Sequence, residues 1–355
     1  MTDGGVKIAM SSSAADPAGF WKLVTGLCAV NAVLFLLALS TGPADLSLLS
    51  GHLFSTLAQI LDPEPETLVV ILREIRLPRA ILAVMVGATM GLTGAALQGL
   101  LRNPLAAPGL IGVSASAAFG AVVTMYFGIS AAFPLALPLG GMAGAMVSVI
   151  VVYALAGRDA SVLTLILAGV AVSSLAGALT SLALNLAPSP YAVIEIAFWL
   201  LGSLADRSFD HVQIALAPML LGWALLTGLG RPLDALTLGE DTARSLGFNL
   251  VTLRWRVIVG TALSVGAAVS VAGAIGFVGL VIPHLLRPFV GYLPGRLMGV
   301  SALGGSALVL AGDVAVRYLS AATTWGTELK LGVLTALIGA PFFLYLVLHT
   351  RRTMR

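Results

Sequence analysis

Apolar residues occupy this chain in long blocks, and the charged residues fall almost entirely between them. No Asp, Glu, Lys or Arg occurs between Lys22 and Asp45, or within 80–101, 103–157, 160–194, 211–230, 257–286, 297–312 and 331–350. One membrane crossing needs about 20 apolar residues. The block 103–157 is too long for one helix, and Pro134 and Pro138 divide it. As one helix 257–286 would measure about 45 Å at 1.5 Å per residue, against a hydrocarbon core of about 30 Å, so it divides near Ala272-Gly273. The pattern predicts ten helices, over roughly 20–40, 78–100, 108–128, 134–156, 162–186, 211–229, 255–271, 274–288, 296–318 and 330–349. Residues 46–61 carry Leu46, Leu49, Leu53, Leu57 and Ile60 on one stripe and suit a helix lying at the interface. Residues 191–203 read as helical but too short to cross.

Composition supports lipid as the solvent. The chain has 355 residues, 58% hydrophobic and 10% charged, where soluble domains carry about 25% charged residues. Cys28 is the lone cysteine, so no disulfide framework forms within the chain. An even number of crossings puts both termini on one side. That side collects Lys7, Lys22, Arg102, Arg158, Arg231, Arg244, Arg254, Arg256, Arg287, Arg296, Arg351, Arg352 and Arg355, which is 13 of the 19 basic residues. The positive-inside rule makes it the cytoplasm. Residues 1–19 read as a disordered cytoplasmic tail, 20–350 as one transmembrane domain and 351–355 as a second cytoplasmic tail. Small residues fill the helices, as in Gly87-Ala-Thr-Met-Gly91, and allow close helix approach. Gly-Val-Ser-Ala at 112–115 and again at 299–302 is a faint trace of internal duplication.

Candidate chemistry is sparse. The three lysines, Lys7, Lys22 and Lys330, follow no glycine, so no G-x-x-x-x-G-K-[ST] phosphate loop exists. An ion-driven carrier normally places ionisable groups at mid-membrane. Here only His284, Asp313 and Glu195 approach that description, and each can sit near a helix end. An intramembrane hydrolase using Ser114 or Ser116 with His284 has no support in the spacing. Transport driven by this chain would take its energy from elsewhere.

Two segments stand out. In the loop 230–256, Thr237 and Glu240 have the spacing of a capping box, a short helix over 238–246 would stop at Gly247, and Asn249 can cap the next helix. Leu233, Leu236, Leu238 and Leu246 are apolar on a water-side loop. They suit a short helix that either rests on the membrane or plugs into a partner. In REIRLPR, residues 73–79, Pro78 suits a first helical turn and places Arg76 and Arg79 at a helix N-terminus, against the dipole and on the side opposite the termini. They read either as snorkelling anchors or, with Arg317 on the same face, as a docking surface for an acidic partner.

The segments RLPRAILAVMVGATMGLTGAALQGLLRNPLAAPGLIGVS, LGEDTARSLG, GFVGLVIPHLLR, GDVAVR and ELKLGVLTALIGAPFFLYLV, in this order, resemble the FecCD-type permease subunits of ABC importers for ferric siderophores, haem and cobalamin. The resemblance covers about 70–350 and implies the all-α type II ABC importer permease fold. It also implies a homodimer around a shared pathway, two cytoplasmic ABC ATPase subunits that hold the ATP and Mg2+, a periplasmic substrate-binding protein, and the bacterial inner membrane. No cofactor is implied for this chain. It makes Arg76, Arg79 and Arg317 the binding-protein docking residues. Leu238, Gly239, Glu240, Ala243 and Gly247 become the ATPase-coupling element, and Asn103, Leu105, Ser161 and Val162 the cytoplasmic gate. Lys330 stands where the family usually has proline. Among cargoes, the commonness of iron chelates in the family points to a siderophore or haem, with cobalamin the alternative.

Overall fold

The computed structural model describes residues 17–41, 70–133, 135–157, 161–322 and 328–353. The interfacial helix expected over 46–61, residues 1–16 of the expected tail, Pro134 and Arg158 lie outside the described residues. Within them the chain is all helical. In order come α1 (Pro17–Ser40), α2 (Leu77–Leu101), α3 (Val113–Tyr126), α4 (Ala136–Ala156), α5 (Val162–Asn185), α6 (Pro190–Leu200) and α7 (Phe209–Leu226). Then follow α8 (Gly230–Leu236), α9 (Glu240–Ser245), α10 (Leu250–Ala272), α11 (Val278–Leu286), α12 (Pro294–Ala322) and α13 (Leu331–Thr353). Seven helical stretches are long and apolar enough to cross a membrane, and α3, α11 and α13 add shorter apolar helices at the other expected crossings. The short α6 falls where a non-crossing helix is expected.

Four boundaries differ from the sequence expectation. The helix expected over 108–128 is interrupted: a 3-10 turn over Pro108–Ile111 ends at Gly112, whose φ of 81° restarts the chain as α3. Gly299 lies inside α12, so the two Gly-Val-Ser-Ala copies share no geometry. The helix α10 begins at Leu250 rather than 255, within the expected loop, and α13 continues to Thr353, into the expected tail. The largest change is at REIRLPR. Pro78 has no N–H to give to the Glu74 carbonyl, and its ring crowds that oxygen. The chain does not start a helix there. A π-helical turn over Ile71–Arg76, closed by Leu77 N–H onto Leu72 O, carries the helix through instead. Arg76 and Arg79 therefore lie within a continuous helical run and not at its exposed start.

The expected division near Ala272-Gly273 is present. Gly273 takes φ 70°, ψ −165°, a region open chiefly to glycine, and ends α10. Residues 273–277 are non-helical and lead to α11, with Phe277 held at φ 65°.

The helix α2 is the central post, and nearly all of it is buried. It packs antiparallel to α12 along a seam of small residues. A Cβ at Gly87 would overlap the backbone at Gly305, and one at Gly91 the Ser301 carbonyl. Ser306 Oγ donates to Val84 O at 2.9 Å across the same seam. Further along, Gly94 touches Gly279 of α11, and Gly99 touches Leu233 of α8 and Pro294 of α12. Around this post α3 pairs with α4, α7 with α10, and α1 with α12.

Replacing Gly91 with Ala should cost about 3 kcal/mol of stability, because the seam has no room for a methyl group. Gly26→Ala on α1, where nothing lies within 4 Å, should change stability by less than about 0.5 kcal/mol. Thermal unfolding of both variants in one detergent checks the contrast.

Candidate functional site

Two polar constellations lie at opposite ends of α2. At the Arg79 end, five charged side chains and the end of α1 come together. Arg79 Nε donates to Asp313 Oδ1 at 2.9 Å and Oδ2 at 3.1 Å. Its Nη1 donates to Glu328 Oε2 at 3.2 Å, and its Nη2 meets Glu328 Oε1. Arg317 Nη2 lies 3.0 Å from Asp313 Oδ2, an i,i+4 pair on α12. The last carbonyls of α1 have no helical partner of their own. Arg76 Nη1 donates to Leu39 O and Ser40 O, both at 2.9 Å. Arg317 Nη1 donates to Ala38 O at 2.8 Å and Thr41 O at 2.9 Å. Cations here complement the negative end of the α1 dipole.

The three expected docking arginines are thus brought together, but inward. Arg76 is 4% and Arg79 8% exposed, and the Arg317 side chain is 8% exposed. They are not snorkelling anchors. Arg73, paired with Glu74 at 3.6 Å and half-exposed, is the arginine of REIRLPR that faces outward, and such a pair contributes about 0–1 kcal/mol. Sequence reasoning noted Asp313 only as an ionisable group near the membrane and missed both its pairing with these arginines and Glu328. The i,i+4 spacing of Asp313 and Arg317 is legible in GDVAVR, whereas the reach of Glu328 to Arg79 requires the tertiary fold.

At the other end of α2 lie α8 and α9. The expected capping box at Thr237 is absent: Thr237 Oγ1 donates back to Asp234 O at 2.7 Å, and Gly239 precedes α9 with φ 108°. The expected helix over 238–246 is present but shortened to Glu240–Ser245, because Leu238 and Gly239 form the corner between α8 and α9. Glu240 instead pairs with Arg254 at 2.9 Å and Arg244 at 3.6 Å. Gly247 ends α9 at φ 86°, and Asn249 Oδ1 caps α10 by accepting from Thr252 N at 3.0 Å, both as expected. Leu233, Leu236 and Ala243 are buried, whereas Leu238 and Leu246 are 67% and 59% exposed. Asp234 fixes the corner to α12 by accepting from Gly295 N at 2.7 Å. Burial pushes its carboxyl above the usual range, opposed by that N–H and by the Arg296 charge.

The expected gate residues sit on two separate elements at this end. Asn103 Oδ1 accepts from Leu105 N at 2.9 Å, closing an Asx turn after α2. Ser161 caps α5 by accepting from Thr164 N at 3.1 Å, with Val162 the first helical residue. The Asn103 turn is anchored by Gln98, a residue the sequence reading passed over. Its Nε2 donates to Ala106 O at 3.3 Å and Gly279 O at 3.5 Å, and its Oε1 accepts from Arg287. A cleft of about 210 Å³ opens here, lined by Gln98, Arg102, Pro104, Thr237, Arg287 and Tyr292 among others.

The described helices thus form a bundle with an ion-paired arginine cluster at one end of α2 and a short-helix corner at the other. The profile of the FecCD transport family matches residues 30–349. The chain belongs to the FecCD transport family. It is 41% identical over 286 residues to the cobalamin import system permease protein of Halobacterium salinarum, covering 80% of this chain and 74% of that one. The molybdate import system permease protein of Haemophilus influenzae is 34% identical over 95% of this chain and 98% of its own. The vitamin B12 import system permease protein of Shigella boydii is 38% identical over 90% and 94%. A solved inward-facing metal-chelate type ABC transporter superposes with a TM-score of 0.78 at 33% identity, over 92% of this chain and 99% of its own. This FecCD-family chain is accordingly a multi-pass membrane permease of the type II importer fold.

Asp313→Asn should lower stability by about 3–5 kcal/mol, because it leaves Arg79 and Arg317 buried with one shared counter-ion removed. A thermal melt in detergent tests this: an unchanged midpoint would show that the cluster carries no structural load.

Proposed function

We propose that this chain is the membrane-spanning subunit of an ATP-driven importer, working as a homodimer with two cytoplasmic ATPases and an extracytoplasmic substrate-binding protein. The observation that carries the proposal is the placement of the two constellations. Arg79 and Gly99 are separated along α2 by roughly 30 Å at 1.5 Å per residue, about one hydrocarbon thickness. Gly99 touches α8, so the arginine cluster and the α8–α9 corner face opposite sides of a bilayer. That is what a carrier needs when it receives cargo on one side and force on the other. Basic residues are concentrated on the corner's side, which supports a cytoplasmic assignment for it and for both termini.

At the corner, exposed Leu238 and Leu246 supply apolar anchors for the ATPase. Gly239 and Gly247 set the turns, Ala243 packs inward, and Glu240 ties α9 to α10 through Arg254. Motion of α9 would pass directly into a transmembrane helix. On the other side the arginine cluster underlies the docking surface for the acidic lobes of the binding protein. Asn103, Leu105, Ser161 and Val162, at the ends of α2 and α5, would form the cytoplasmic gate.

For cargo, we infer cobalamin or a corrinoid like it. The support is the naming of relatives at 41% and 38% identity as cobalamin and vitamin B12 permeases. An iron chelate is the second reading, favoured by the likeness to a metal-chelate type transporter. Proteoliposomes holding the permease, its ATPase and its binding protein should accumulate labelled cobalamin with ATP, and ferric siderophore or haem far less. The reverse order would make iron the cargo. ATP-independent accumulation on an ion gradient would remove the importer reading altogether.

Replacing Glu240 with Arg should leave ATP hydrolysis measurable in the assembled complex while uptake falls at least about tenfold, since the α9–α10 link is lost. Wild-type uptake by this variant would remove the coupling role.

A further inference from the structure

We propose that Glu328 is a resident stand-in for a partner's carboxylate: it holds the outer edge of Arg79 in the free subunit and yields that edge when an acidic protein surface docks. This rests on the docking reading above and adds to it what the docking partner must displace.

The argument begins with the two edges of the Arg79 guanidinium. The inner edge is held by Asp313, whose side chain is 1% exposed and which also pairs with Arg317. Asp313 cannot leave without abandoning two buried cations. The outer edge is held by both oxygens of Glu328. Glu328 has a quarter of its side chain exposed and lies on a non-helical stretch, 328–330. It is the one carboxylate of the pair with access to water. Moving it aside would present a planar fork of two N–H donors, which matches an incoming carboxylate in the same bidentate geometry. One ion pair would be replaced by another, so the buried cation is never left uncompensated.

Charge favours the exchange. With Glu328 seated, Arg79 and Arg317 are matched by Asp313 and Glu328. With Glu328 withdrawn, these two cations share one carboxylate, and an acidic surface is drawn in more strongly.

The displaced segment has a definite neighbour. Leu329 N donates to Ser320 Oγ at 3.2 Å, the Lys330 ammonium lies 5.6 Å from the centre of the Phe198 ring on α6, and Gly332 N donates to Gly202 O at 3.1 Å. Glu328 is thus the outermost tie of the strand that starts α13. That helix, with Leu200, Leu201 and Ala274, walls an apolar groove of about 510 Å³. Docking would be felt at the wall of the groove through the release of one side chain.

The experiment measures docking of the cognate substrate-binding protein to the permease in nanodiscs, comparing wild type with Glu328→Gln and Glu328→Ala. If Glu328 occupies Arg79 in about nine molecules of ten, its removal tightens the apparent Kd about tenfold, because competent molecules are no longer a minority. Glu328→Gln can still accept one hydrogen bond from Arg79, which guards the fold. Tighter docking by both variants, with a steeper loss on adding salt, is the expected result. Unchanged or weaker docking overturns the exchange. An Arg79→Gln variant, in which Asp313 keeps its pair with Arg317, separates the two levels. If it fails to dock while Glu328→Gln docks like wild type, docking at the cluster stands and the exchange is wrong. If it docks normally, the docking reading itself falls.

Discussion

In a bilayer, apolar side chains gain nothing by turning inward, so helices must be held by close packing and by the few polar contacts available between them. That constraint makes the α2–α12 seam the contact on which the rest depends. Where Gly87, Gly91, Ser301 and Gly305 meet, backbone touches backbone, and dispersion between main chains replaces the hydrophobic effect. Helices α1, α8 and α11 all rest on this pair. Along α2, the arginine cluster fixes α1 and residue 328, Gly94 receives α11, and Gly99 receives α8. At Gly87, Gly91, Gly94 and Gly99 the small residues of α2 let neighbours come close.

The ionic cluster does what the seam cannot. Apolar packing permits helices to slide in register, whereas Asp313 grips Arg79 of α2 and Arg317 of α12 at one level only. The same cations close the C-terminal carbonyls of α1. Three helix ends are therefore fixed at one depth by a network nearly balanced in charge. At the opposite end Gln98 plays a neutral version of this role, tying the Asn103 turn, the first turn of α11 and Arg287 through one amide.

Most of the helical layout was legible because charges and turns mark the helix ends. Gly273, Gly247 and Asn249 fall where their backbone preferences place them. What was not legible depends on tertiary neighbours. Pro78 signals a helix start in isolation, but Leu72 is buried and the preceding turn stays helical by shifting its hydrogen bonds one residue. Thr237 and Glu240 have the spacing of a reciprocal cap, yet Arg254 offers Glu240 a stronger partner. Arg79 reads as a surface feature because its counter-ions lie more than 230 positions further along the chain. The likeness to one family carried the functional assignment further than any single residue did.

The break between α10 and α11 has one more consequence. A main chain facing hydrocarbon cannot leave its amide and carbonyl groups without partners. Residues 273–277 are non-helical, yet Ala274 and Gly276 are exposed, and Phe277 beside them lies against Gly339 of α13. That surface therefore calls for water or another chain beside its peptide groups. In this uncharged stretch of Ala, Ile and Gly, the demand for a polar neighbour comes from peptide groups alone.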